Sequence, residues 1–273
     1  MMGGGVATPV KLPDSDSQLT YSICTFVTDQ RMYRVMLDSF SSHGFTADNS
    51  EFLYFDNSAG NGVDAFQGIN FFLTRARGQF VIVCHQDIEL EDGENILFRR
   101  LMELNHLAPH WALAGNAGGI KLGRLSVRIS DTSYGDNFSS MDFPHQVYSL
   151  DENFLILKAE ARLATSRHLT GFHFYGTDLC LTADFLGYTS HSIDFLVRHH
   201  GGEALKSTLD NRASRARGGF DHTRRRLIES ATSRFRPRWI QTTCTRLFLS
   251  ASPILNIVLN WKVSLSLAKK FGK

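Results

Sequence analysis

The apolar run Phe80 to Cys84 (FVIVC) is followed at once by His85-Gln86-Asp87. Five apolar residues without alternation, closed by polar ones, predict a strand buried on both faces, interior to a sheet covered above and below. Such a chain folds in layers. Asp87 then falls at the carboxyl end of that strand, where open α/β sheets receive their ligands and where an acid meets a phosphate-bound metal.

Further strand-like runs lie at Tyr21 to Val27, Glu51 to Phe55 and Trp111 to Ala114. Between the second and third strands, Ala65, Phe66, Ile69, Phe72, Leu73 and Ala76 recur at three and four residue steps, one face of a helix packing on a sheet. This alternation predicts an α/β fold: a Rossmann-like, mostly parallel central sheet flanked by helices. Past residue 125 the chain turns to Gly, Asp and Ser rich loops. A strand is expected near Gln146 to Ser149, a helix near Lys158 to Thr165, another helix from about Gly176, and an apolar strand running into Arg198. At 273 residues and 42% hydrophobic content, one large domain with a tail is expected.

Three parts are expected along the chain: a flexible leader over 1–18, the α/β domain over 19–220, and a basic amphipathic helical extension over 221–273. The leader is Gly, Pro and Ser rich and lacks the charged start and apolar stretch of a secretion signal. Cys24, Cys84, Cys180 and Cys244 stand singly, which suggests neither a disulfide framework nor a CxxC metal site and fits a reducing cytoplasm.

Charge is distributed unevenly. Residues 1–211 carry 15 Lys and Arg against 25 Asp and Glu, a net −10, while residues 212–273 carry 14 against two, a net +12. A basic tail of this kind points to an anionic surface, and Trp239, Leu247, Ile254, Leu255, Ile257 and Trp261 among its apolar residues favour peripheral contact with a membrane over nucleic acid. Pro253, several Ser and Asn, and Lys262 break the run short of a membrane span. A helical hairpin covering the sheet, or an oligomer contact, accounts for the same pattern equally well.

Several polar residues stand where chemistry is expected. Asp29 and Asp56-Asn57 end the first two strands, where a carboxylate can meet a base or ribose, although each also reads as a cap or turn. Asp87 suits Mg²⁺ or Mn²⁺. Asp178 starts a helix, as a cap or as a proton acceptor for an attacking hydroxyl, with His173 and Tyr175 just before it as candidate sugar contacts. In Arg198-His199-His200 a cation and an imidazole adjoin, and because extended neighbours point opposite ways only one His faces a given ion; His199 is preferred on spacing. No GxxxxGK[ST], GxGxxG after the first strand, or GxSxG is present, so the phosphate cradles of P-loop and nicotinamide enzymes and the hydrolase elbow are missing.

From Tyr21 to Gly202 these segments resemble the inverting glycosyltransferases of family two, which have the GT-A fold. The shared elements are Val27-Thr28-Asp29, Asp56-Asn57-Ser58, Gly60-Asn61-Gly62, Ala76-Arg77-Gly78, His85-Gln86-Asp87 in place of Asp-x-Asp, and Gly176-Thr177-Asp178 in place of the acceptor-side motif. Leu150-Asp151-Glu152-Asn153-Phe154 looks like the segment leading into the acceptor loop. The resemblance implies transfer of a sugar from a nucleotide-diphosphate sugar to a hydroxyl of a glycan or glycolipid, as in cell-surface polysaccharide or lipopolysaccharide synthesis at the inner face of the membrane. It implies Mn²⁺ or Mg²⁺ at Asp87 and His199, Asp178 as catalytic base, and donor nucleotide contacts at Thr28, Asp29, Asp56, Asn57 and Gln86. Asn116, Gly118, Gly119 and Arg198 are the implied contacts to donor sugar and diphosphate, the glycines reading equally as a ligand-free turn. His173 and Tyr175 are implied on the acceptor side, and loops near 130–145 and 203–220 as lids. A catalytically silent scaffold subunit and a sugar-phosphate nucleotidyltransferase are the alternatives, the latter poorly matched by Thr28-Asp29-Gln30-Arg31.

Overall fold

The computed structural model of the chain describes residues 19–60, 62–121, 123–132, 135–138, 142–200, 212–231, 237–250 and 252–261. The expected leader and residues 203–211 of the second expected lid lie outside these. In chain order the strands are Tyr21–Val27 (β1), Ser50–Asp56 (β2), Phe80–Cys84 (β3), Ile88–Leu90 (β4), Trp111–Gly115 (β5), Ala117–Lys121 (β6), Arg124–Asp131 (β7), Gly135–Phe138 (β8), His145–Val147 (β9), Ser149–Leu150 (β10), Phe154–Lys158 (β11), Thr189–Ser192 (β12), Val197–His199 (β13), Arg238–Gln241 (β14) and Arg246–Leu249 (β15). The helices are Gln30–Ser42 (α1), Ala65–Arg75 (α2), Glu94–Leu107 (α3), Tyr175–Phe185 (α4), Arg212–Ala231 (α5) and residues 253–261 (α6).

The central sheet has the order β2-β1-β3-β11-β5-β12-β9. Five strands, β2, β1, β3, β5 and β12, point one way, while β11 and β9 oppose them. All five residues of β3 are buried, as its unbroken apolar run predicts. Successive side chains go to opposite faces: Phe80, Ile82 and Cys84 join Met36 and Phe40 of α1 and Leu97 and Leu101 of α3, whereas Val81 and Val83 join Phe66, Ile69 and Phe72 of α2. Asp29 caps α1 through Arg31 N, and Asp64 caps α2 through the amides of Phe66 and Gln67.

A second sheet, β10-β6-β7-β13-β4 with β8 on β7, leans against the carboxyl end of the first. Tyr148 interrupts the single strand expected near Gln146 to Ser149, so that β9 joins the central sheet and β10 the second. The helix expected near Lys158 to Thr165 is a correction. Lys158 is spent on the ladder opposite Phe80, the one 3₁₀ turn at Ala159–Ala161 stops at Arg162 with φ 48°, and Thr165 N is drawn onto Asn70 Oδ1 at 2.8 Å. Tertiary pairing overrides helix propensity there.

The extension beyond residue 220 also differs from expectation. Helix α5 starts at Arg212 and runs through the expected boundary, and the chain then forms the β14–β15 hairpin before α6. Leu227, Ile228, Ile240, Leu247 and Leu249 belong to the same core as Phe174 and Leu179, so the segment through β15 is part of the domain. The hairpin explains the glycines of β6. A Cβ on Gly119 would collide with the Gln241 carbonyl, one on Gly118 would meet Ser149 O, and Ser149 Oγ donates to Gln241 O. Gly118 and Gly119 therefore admit close backbone approach, in place of the expected donor contact. Among the described residues no helix is long and apolar enough to cross a membrane. Replacing Gly119 with Ala is expected to destabilise the fold by about 1–3 kcal/mol, as overpacking does; urea unfolding checks it, and an unchanged midpoint would return Gly119 to a ligand role.

Candidate active site

Residues 85–87 leave β3 at the carboxyl end of the sheet, held by His85 N donating to Asn153 O at 3.0 Å. Strand β4 follows at once and pairs with β13, which sets His199 opposite Ile88, and β13 also pairs with β7, which sets His199 opposite Asp131. One turn and two ladders thus converge. The ligand atoms of His85, Asp87 and His199 all lie within 4.8 Å of one another, with His199 Nε2 at 3.6 Å and His85 Nδ1 at 3.7 Å from Asp87 Oδ1. His199 Nδ1 lies 3.0 Å from Asp131 Oδ2, so its N–H donates to the carboxylate and the Nε2 lone pair is left toward Asp87. Partial burial holds the His85 imidazole below the ordinary histidine range, favouring the neutral form that ligates metals. Two imidazole nitrogens and one carboxylate oxygen fit a divalent cation, and the nitrogen donors weigh toward Mn²⁺ over Mg²⁺, which prefers oxygen.

Asp87 and His199 are thus brought together as expected, and His85 joins them. His85 is what the sequence reading missed: it stands where the resembled motif has its first acid, two residues before Asp87, and so can share its side. His200 turns away, its Nε2 2.7 Å from Glu89 Oε1. Arg198 is a correction. It lies on the face of β13 opposite His199, exposed, with Nε donating to Glu91 Oε1 at 2.6 Å, so it does not reach a diphosphate beside Asp87.

At the neighbouring strand ends, Gln86 Oε1 accepts from Thr28 N and Asp29 N at 2.8 and 2.9 Å, and Gln86 Nε2 donates to Thr28 Oγ1 at 2.7 Å. Gln86 therefore locks the ligand turn to the end of β1. Asp29 caps α1 and pairs with Arg31 at 3.1 Å, and that hydrogen bonding holds its carboxyl below the usual range. Asp56, opposite Val27 in the β1–β2 register, is exposed and accepts from Ser58 Oγ at 2.5 Å and Ser58 N at 2.9 Å, which likewise lower it. Asn57 is a correction: it is buried, and its amide binds Val63 O and N at 2.9 and 3.2 Å, bracing the loop. Asn116 is another, fully buried at the β5–β6 junction with Nδ2 donating to Arg128 O at 3.4 Å, away from any donor sugar.

On the far side, Tyr175 is buried, its hydroxyl donating to Glu152 O at 3.2 Å and lying 3.5 Å from His85 Nε2. It backs the histidine and offers no face to a sugar. His173 is partly buried with its ring edge against Phe220 at 5.4 Å; burial, with His85 nearby, lowers its pKa. Asp178 departs most from expectation. Only 3% exposed, its oxygens accept from Ser166 N and Ser166 Oγ, both at 2.6 Å, so it fixes the 166 turn to α4 and has no oxygen aimed at an acceptor. The carboxylate at the start of α4, next to Tyr175, is Glu152, which accepts from Gly176 N at 3.3 Å. Burial first, and then Asp151, push the Glu152 carboxyl up to about 8.

No family model matches the chain. Over 201 residues it is 38% identical to the protein named ATP synthase subunits region ORF 6 of Fuscovulum blasticum, covering 71% of this chain and 80% of the relative. Among solved structures it is similar to GalNAc-T7 with UDP, GalNAc and Mn²⁺ (8% identity, 68% of this chain and 44% of that one, TM-score 0.47). It is also similar to S. aureus TarS 1-349 in complex with UDP-GlcNAc (12%, 70% and 61%, 0.48). A third is the mannosyltransferase PcManGT from Pyrobaculum calidifontis with GDP-Man and Mn²⁺ (12%, 70% and 60%, 0.45).

Two outcomes are expected. In Mn²⁺ titration calorimetry, His199→Ala abolishes binding and Asp131→Asn weakens it by about 10–100-fold, as loss of a ligand-orienting carboxylate does; equal affinity in Asp131→Asn rejects that role. Glu152 has a folded pKa of about 8 against an ordinary 4.5, so the folded state holds more protons between these values. The stability this supplies is full below pH 4.5 and is lost as pH rises through 8. In metal-free buffer Glu152→Gln should therefore match wild type in Tm at acid pH and exceed it above pH 8.

Proposed function

The chain belongs to one family with the Fuscovulum blasticum protein, and we propose that it is an inverting glycosyltransferase of the GT-A kind. It moves a sugar from a nucleotide-diphosphate sugar to a hydroxyl of a glycan or glycolipid, as cell-surface polysaccharide and lipopolysaccharide synthesis require. The observation that supports this most is the His85–Asp87–His199 cluster at the end of β3, next to the exposed ends of β1 and β2 with Thr28, Asp29 and Asp56. A strand-end ligand set beside a strand-end crevice suits a nucleotide with its diphosphate.

His85, Asp87 and His199 would hold Mn²⁺ or Mg²⁺, which when bound supplies positive charge for a diphosphate. Asp131 orients His199, Tyr175 backs His85, and Gln86 fixes the turn between them. Thr28, Asp29 and Asp56 border the nucleotide. Glu152 accepts the proton of the attacking hydroxyl, since a carboxyl near pKa 8 at the cleft is a stronger base than an ordinary one yet still ionises near neutrality. His173, beside Phe220 and near His85, borders the acceptor. Direct displacement inverts the anomeric carbon and needs no covalent intermediate.

Glu152→Gln is expected to lower transfer by about 10²–10⁴-fold while leaving nucleotide-sugar binding intact. Asp178→Asn should instead lower Tm, and transfer only in proportion to unfolded protein. A folded Asp178→Asn enzyme that binds donor yet transfers nothing would move the base to Asp178, and Glu152→Gln with wild-type transfer would reject the assignment outright.

A further inference from the structure

Helix α6 is inside out. Its polar positions, Asn256 and Asn260, are 3% and 5% exposed, whereas Ile254, Ile257 and Trp261 are 73%, 70% and 65% exposed, with Leu255 and Val258 beside them. The two amides hold this orientation. Asn256 Nδ2 donates to Ser250 O and its Oδ1 accepts from Ser250 Oγ, both at 2.9 Å. Asn260 Nδ2 donates to Phe248 O and Asn256 O at 2.8 Å, and its Oδ1 accepts from Phe248 N at 2.9 Å. Rolling the helix to bury its apolar side would strand the four bonds to Ser250 and Phe248, each buried loss costing about 1–3 kcal/mol. The apolar face is thus kept outward by design of the hairpin beneath it, and contiguous exposed faces of this kind mark docking surfaces.

We infer that this face docks the protein on an anionic lipid surface. Arg224 Nη2 lies 3.5 Å from Asn260 O, which sets the Arg224-Arg225-Arg226 turn of α5 beside Asn260 of α6, with Arg225 and Arg226 exposed and Arg226 Nη1 3.8 Å from Glu229 Oε2. The whole segment from 212 to 273 carries +12 on a chain whose remainder carries −10. Cations rim an apolar strip, the pattern of a helix lying in the headgroup plane with its tryptophan at the boundary. At 1.5 Å per residue the nine described residues of the helix span about 13 Å, and Asn256 and Asn260 hold them against the hairpin, so their outward side lies along a surface. A second copy seated on the same face would bring two +12 segments together. Nucleic acid would meet the arginines but leave Ile254, Ile257 and Val258 without apolar contact. The docking stands apart from the transfer reading, since it involves none of the cleft residues.

The test is co-sedimentation of the full chain with phosphatidylglycerol–phosphatidylcholine vesicles and with phosphatidylcholine alone. Wild type is expected to bind the anionic vesicles, less so as salt rises, with a blue shift in fluorescence that Trp261→Phe removes. The double variant Ile254→Glu, Ile257→Glu is expected to lose binding by about tenfold or more, with Tm unchanged because both side chains are exposed. Should that variant lose its fold, Arg225→Glu with Arg226→Glu reads the same surface from its charged rim. Vesicle binding unchanged in both variants overturns the proposal. So does a wild-type dimer in light scattering that the isoleucine variant dissolves, or tighter binding to a nucleic-acid duplex than to anionic vesicles.

Discussion

Burial of β3 on both faces constrains everything downstream of it. A one-residue slip against β1 or β11 would send Phe80, Ile82 and Cys84 into the core of α2 and α4, and Val81 and Val83 into that of α1 and α3. The register is therefore firm, and so is the point at which the strand stops. His85, Gln86 and Asp87 emerge there, with Gln86 tied to the amides of Thr28 and Asp29 and His85 N tied to Asn153 O. A turn fixed at both sides presents its side chains with little freedom left to lose when a ligand arrives.

The electrostatics of the cluster depend on partners that come from elsewhere. Asp131 reaches His199 only because β13 pairs with β7 and β4 together, joining three chain segments that are far apart in sequence. Tyr175 and Glu152 arrive from the start of α4 and from the turn before β11. The site is a junction between the two sheets. Its acids sit in different surroundings: Asp29 and Asp56 are held low by hydrogen bonds in solvent, whereas Glu152 is raised by burial beside Asp151. Carboxylates of one chain are thereby given different affinities for protons.

The C-terminal segment shows how one contact sets two outcomes. Close approach of Gln241 to Gly119 and Ser149 seats the β14–β15 hairpin on β6, and the hairpin's Phe248 and Ser250 then capture Asn260 and Asn256. The same docking that completes the core on one side turns an apolar helix outward on the other. Stability and surface chemistry are coupled there through the backbone.

Periodicity made most of the sheet legible: β1, β3 and the buried face of α2 follow from apolar spacing alone, because local pattern and burial coincide in them. Asp87 and His199 were legible for the same reason, each ending a recognisable strand. Helix propensity misled over 158–165, where ladder pairing prevails, and the glycines of β6 looked like a ligand loop because close backbone approach and ligand approach demand the same missing Cβ. Asp178 looked open to a ligand for want of knowing that Ser166 claims both its oxygens. By itself the sequence determined β1, β2, β3, β5 and α2 and where the chemistry-bearing residues stand at their ends, since both depend on neighbours in the chain. Only the tertiary structure decided which histidines face Asp87, which acid spends both oxygens on Ser166, and which side of α6 meets solvent, because each of those is settled by partners distant in sequence.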